Sequence, residues 1–109
     1  MAVARRTESG YQRTILQLAR LLGWRCAHFR PGLTRKGWRT PVQGDGVGFP
    51  DLVLLRGERL LFVELKGRRG VTSPEQRAWL DALRRVPGAE VYEWRDGVTP
   101  WREVEGVLR

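Results

Sequence analysis

The chain has 109 residues, with 20 Lys and Arg against 12 Asp and Glu, a net charge of +8 and a pI near 11.2. That length suits one domain spanning 1–109, able to bury a real core but without room for a separate recognition domain. All basic residues except Lys36 and Lys66 are arginine, whose forked guanidinium suits phosphate, so the balance points to a polyanion such as nucleic acid. An arginine-rich composition is also compatible with a protein that has no such partner. A single cysteine, Cys26, excludes an internal disulfide and a cysteine-cluster zinc site, and the single histidine, His28, argues against His-rich metal sites and a Ser-His-Asp triad. Met1–Thr7 lacks the apolar core of a signal peptide and no run approaches membrane-spanning length, so the expectation is a soluble, cytoplasmic protein with no membrane partner.

Thr7 can cap a first helix running to about Leu22, ended by Gly23. Tyr11, Ile15, Leu18, Ala19 and Leu22 fall on one face at helical spacing. Glu8 and Gln12 extend that face at its polar end, where a site could form; Glu8 could equally serve the helix dipole in the first turn. Trp24 to Phe29 reads as a strand, in which Cys26 packs as a small hydrophobe and His28 is structural or DNA-facing rather than a ligand. The segment from Arg30 to Pro50 carries Gly32, Gly37, Gly44, Gly46 and Gly48 together with Arg30, Arg35, Lys36, Trp38 and Arg39. Basic residues beside tryptophan can grip phosphates and stack bases, although a plain connection, part of it extending the flanking strands as a hairpin, explains the same composition.

Two apolar strands follow, Gly48–Leu55 and Leu60–Lys66, separated by Arg56-Gly57-Glu58-Arg59. A symmetric turn centred on Gly57 and Glu58 pairs positions that sum to 115, which sets Leu55 opposite Leu60 and Asp51 opposite Glu64. Directly opposed residues have Cβ atoms about 4.5–5.5 Å apart, a distance at which like charges repel and a bound cation would be coordinated instead. Lys66 lies two residues beyond Glu64, so its ammonium projects from the same strand face. Asp51 as a strand cap, with Glu64 and Lys66 as a solvated pair, is the competing explanation.

Arg68 and Arg69 come next, placed either to meet phosphates flanking such a site or simply to lie in solvent. Ser73-Pro74-Glu75-Gln76 is a helix start, with Ser73 as cap, Pro74 at the first position and Gln76 able to complete a capping box. That helix is expected to run to about Val86 with Trp79, Ala82, Leu83 and Val86 as its inner stripe, which Gln76 continues backward toward Lys66. Pro87-Gly88 ends it, Ala89 to Trp94 reads as a fourth strand, and Val98 to Leu108 as a last helix with Trp101, Val104 and Leu108 on one side. The order α, β, β, β, α, β, α, with a helix crossing between the third and fourth strands, implies an α/β fold with a mixed sheet flanked by helices.

These motifs resemble the VRR-NUC branch of the PD-(D/E)XK nuclease superfamily, particularly its small stand-alone phage and bacterial members. The similarity rests on Glu8 with Gln12, Gly48-Phe49-Pro50-Asp51, Glu64-x-Lys66 and Gln76. The resemblance implies a restriction-endonuclease-like fold and metal-dependent phosphodiester hydrolysis. Magnesium, with manganese able to substitute, would be held by Asp51, Glu64 and the backbone carbonyl of Leu65, and by Glu8 directly or through water. Lys66 would orient the attacking water or stabilise the developing charge, and Gln76 would support Lys66 or the nucleophile. Similar small members are homodimers that cut four-way DNA junctions, so branched DNA and a second copy are the implied partners. Rival expectations are a flap, nick-directed or restriction-type nuclease and a non-catalytic DNA-binding module.

Overall fold

A computed structural model describes residues 8–29, 32–34, 37–39 and 44–109. The elements run α1 (Glu8–Leu21), β1 (Arg25–His28), β2 (Gly32–Thr34), β3 (Gly37–Arg39), β4 (Leu52–Arg56), β5 (Arg59–Lys66), α2 (Pro74–Arg84), β6 (Ala89–Arg95) and α3 (Trp101–Leu108). β1, β4, β5 and β6 form one mixed sheet in that order, antiparallel except for the β5–β6 pair, which α2 connects as a crossover. Part of the 30–50 segment forms a separate β2–β3 hairpin with its own two-stranded sheet, not an extension of the flanking strands. No helix among the described residues is long and apolar enough to cross a membrane.

Strand alternation divides the sheet into two faces. Leu52 and Leu54 from β4, with Leu61, Val63 and Leu65 from β5, are buried in one cluster with Tyr11, Ile15, Leu16 and Ala19 of α1 and Val104 and Leu108 of α3. Each fully buried Leu, Ile or Val among them contributes about 1.5–3 kcal/mol by leaving water, and this cluster holds α1 and α3 on the sheet. The α1 stripe is as the spacing predicts, with Leu16 added and Leu18 and Leu22 at its margin. The opposite face carries Phe62, Glu64 and Lys66, and α2 covers it: Phe49 meets Phe62 and Trp79 edge to face, at 6.1 and 5.0 Å between centroids.

The inner side of α2 differs from the expected stripe. Leu80 is its fully buried residue, Ala82 and Val86 are exposed, and Trp79 and Leu83 are half-buried. The more buried side falls on Gln76, Leu80 and Leu83, while the half-buried Trp79 packs on Phe49 and its indole donates to the Asp45 carbonyl at 2.9 Å. The helix ends at Arg84. The last helix begins at Trp101 instead of Val98, with Pro100 as its cap residue. A proline disfavours helical geometry in the residue before it, so Val98 and Thr99 form a turn on the Arg95 carbonyl.

At the far end of the β4–β5 hairpin, Arg56 and Arg59 belong to the strands, leaving a two-residue turn with Gly57 at φ +59. Both guanidinium groups lie over the Trp24 ring, at 4.4 and 5.1 Å from its centroid. Arg56 donates to the carbonyls of Leu22, Leu108 and Arg109, Arg59 to that of Val107, and Trp24 Nε1 to Leu108. Carbonyls at the C-terminal end of a helix lack partners of their own, and cations there are favourable.

Candidate active site

The β4–β5 register runs from Leu52 opposite Val63 to Arg56 opposite Arg59, the pairing expected from a turn centred on Gly57 and Glu58. One residue beyond the ladder, the same register sets Asp51 opposite Glu64. Asp51 Oδ2 accepts from the Leu65 amide at 2.8 Å, which pins the carboxylate against β5. Glu64 is 1 % exposed although ionisable. Its Oε2 lies 3.2 Å from Lys66 Nζ, and its Oε1 is buried with no hydrogen-bond partner among the described residues. Burial, and then the charge of Asp51, push the Glu64 carboxyl up to about 7, against the opposing hydrogen bond and charge of Lys66. An unsatisfied buried acceptor is costly to a fold, and pressed against a second acid it fits a cation.

Lys66 Nζ donates to Gln76 Oε1 at 2.6 Å. That oxygen also accepts from the Ser73 amide at 2.9 Å while the Gln76 amide donates to Ser73 Oγ at 3.1 Å, completing the capping box. The predicted cap and the predicted partner of Lys66 are therefore one side chain. Gly48 makes this possible. Its φ is +86, and a Cβ there would stand 2.6 Å from the Glu75 carbonyl carbon and 2.7 Å from the Gln76 nitrogen. The Gly48–Asp51 segment thus lies directly on the first turn of α2, between Asp51 and Gln76.

Two carboxylates, one lysine and one amide are brought together. Among the described residues no three His, Cys, Asp or Glu side chains form a metal cluster, so Asp51 and Glu64 would need further ligands to hold a cation, and magnesium commonly keeps several waters. Glu8 is the first residue of α1, and its side chain lies outside the described residues. Gln12 is half-buried. The expected DNA contacts Arg30, Arg35 and Lys36, and the Thr7 cap, fall outside the described residues, while Trp38 and Arg39 lie on β3. Arg68 and Arg69 are exposed in the turn after Lys66.

Glu93 and Arg95 escaped the sequence reading. The parallel register pairs Glu64 with Glu93 and Lys66 with Arg95, which puts both beside the site. Glu93 accepts from Thr72 Oγ1 and Arg77. Burial works to raise its carboxyl, but that hydrogen bond and the charges of Arg77 and Arg95 leave it below the usual range. Glu93 and Arg95 stand two residues apart on β6 and so share a face, but their neighbours depend on a register across a crossover helix, which spacing does not reveal.

A VRR-NUC domain matches residues 7–95. The chain belongs to the VRR-NUC family. Asp51, Glu64-x-Lys66 and Gln76 all fall within this VRR-NUC match. A crystal structure of Hjc, a Holliday junction resolvase from the archaeal hyperthermophile Archaeoglobus fulgidus, has the same fold at 20% identity and a TM-score of 0.53. The alignment covers 91% of this chain and 98% of that one. No curated protein matches the chain.

Proposed function

We propose that this VRR-NUC chain is a divalent-metal-dependent, structure-specific endonuclease, a single-domain enzyme that acts in the cytoplasm as a homodimer and hydrolyses phosphodiester bonds in branched DNA, four-way junctions foremost. The observation that carries the metal reading is Glu64 Oε1, which lies buried beside Asp51 with no hydrogen-bond partner among the described residues. Asp51, Glu64 and the Leu65 carbonyl would hold magnesium, with Glu8 completing the set. When bound, that ion would supply charge to the phosphate and lower the pKa of a coordinated water. Lys66, steadied by Gln76 and Glu64, places a compact positive charge where the transition state gathers negative charge. The likeness to the Hjc fold favours four-way junctions, and a two-fold dimer would offer paired sites to a two-fold substrate.

A panel of synthetic four-way, flapped, nicked and linear DNAs, incubated with magnesium present or withheld, tests this reading. The expected result is paired, magnesium-dependent cuts in the four-way junction. Preferential cutting of flaps or nicks would reassign the substrate, and binding without cutting of any DNA would favour the non-catalytic module. Asp51→Asn should abolish cutting while junction affinity in calcium stays near wild type, because the change removes a carboxylate and no basic contact.

A further inference from the structure

Between Lys66 and α2 the chain makes a turn whose carbonyls face inward. Arg95 Nη1 donates to the carbonyl of Gly67 at 3.0 Å and to that of Gly70, with the Arg68 carbonyl at 3.5 Å. The Gly70 amide closes the turn on Gly67 at 3.1 Å. Two residues on, Thr72 donates to Glu93, which Arg77 of α2 also holds. The last charged residues of β6 therefore strap residues 67–72 at both ends. This turn lies on the lysine: a Cβ on Gly70 would sit 3.3 Å from Lys66 Cδ. Its far end leads straight into Ser73, whose amide shares Gln76 Oε1 with Lys66. The exposed side chains of Arg68 and Arg69 project from the strapped backbone.

We propose that Arg95 is a positioning residue for cleavage, its guanidinium gathering the 67–70 carbonyls so that the turn holds the Lys66 stem in place. A guanidinium engaged by backbone carbonyls is committed to the fold, unlike one left free for phosphate, so Arg95 and Arg68 should separate experimentally. This inference rests on the nuclease reading.

The experiment compares wild type, Arg95→Gln, Arg68→Ala and Thr72→Val. It measures single-turnover junction cleavage at saturating enzyme with magnesium, junction affinity in calcium, and trypsin cleavage after Arg68 and Arg69. For Arg95→Gln, cleavage at saturation should fall about tenfold or more, since small misplacements of a reacting group are costly, with affinity changed by less than about threefold. Tryptic nicking at Arg68 and Arg69 should rise about tenfold as the turn opens. Arg68→Ala should instead weaken binding in calcium by more than about threefold, without raising tryptic nicking at Arg69. Normal cleavage at saturation with weakened binding would make Arg95 a phosphate contact and overturn the proposal, as would slowed cleavage without faster nicking. If Arg95→Gln does not fold, Thr72→Val loosens the other end of the strap and decides by the same readouts: smaller changes in the same directions support the proposal, and none overturns it. Wild type cutting while Arg95→Gln cuts equally well sinks this inference alone. Wild type failing to cut any DNA sinks the nuclease reading, and the tryptic comparison then decides whether Arg95 holds the turn.

Discussion

Gly48→Ala is the sharpest test of how the strand loop and α2 together build the site. Two costs arise there. The first is conformational: φ +86 suits glycine, and an L side chain in left-handed geometry costs about 1–2 kcal/mol. The second is steric, since the new Cβ would fall 2.6–2.8 Å from Glu75 and Gln76, mostly backbone atoms that cannot rotate away. Forcing apart packed groups adds about 1–3 kcal/mol. Gly57→Ala is the internal control, because Gly57 also has positive φ, +59, and has nothing among the described residues within 4 Å of the added carbon. Subtracting the two leaves the contact itself, equivalent to about 5–15 °C in melting temperature for a domain of this size. Circular dichroism melts of both variants measure it. At a temperature where both are folded, Gly48→Ala should also cut DNA at least about tenfold more slowly, because the displaced turn carries Gln76. Melting temperatures within about 2 °C of each other would refute the argument that Gly48 is set by the approach of α2.

Lys66→Arg should lose most of the single-turnover rate although charge is conserved, because a planar guanidinium cannot occupy the pocket between Glu64 and Gln76; near-normal cutting would leave Lys66 as a phosphate contact only. The Glu64 carboxyl sits at about 7, above its ordinary 4.5, so its contribution to the metal-free fold is fully present below about pH 4.5 and is lost as pH rises through 7. Stabilisation by added magnesium should accordingly grow between pH 6 and 8, and Glu64→Gln should flatten that growth in thermal melts; an unchanged slope would mean that another group takes the proton.

Residues close in sequence, or tied by a short turn, could be placed from the chain alone. The four residues between two apolar runs determine the β4–β5 register, and with it Asp51 against Glu64; Ser73 and Gln76 announce the capping box. What stayed hidden depends on longer separations. Arg56 and Arg59 look in sequence like charges in an exposed turn, yet they stack on Trp24 and bind the carbonyl end of α3. Arg95 similarly spends its charge on backbone carbonyls. The net charge therefore overstates how much of the arginine content is available to a polyanion. The inner face of α2 departs from the stripe that spacing predicts, with Trp79 holding the Asp45 carbonyl of the 44–48 loop, a contact that helical spacing does not encode.

Gln76 Oε1 serves two donors, the Ser73 amide and the Lys66 ammonium. Helix ends are the first parts of a domain to fray as temperature rises. Here the fraying end carries the hydrogen-bond support of Lys66, so unwinding one turn of α2 withdraws that support while the sheet and the core it shares with α1 and α3 remain intact. The enzyme would then lose activity on warming before it loses its fold, and recover it on cooling without refolding.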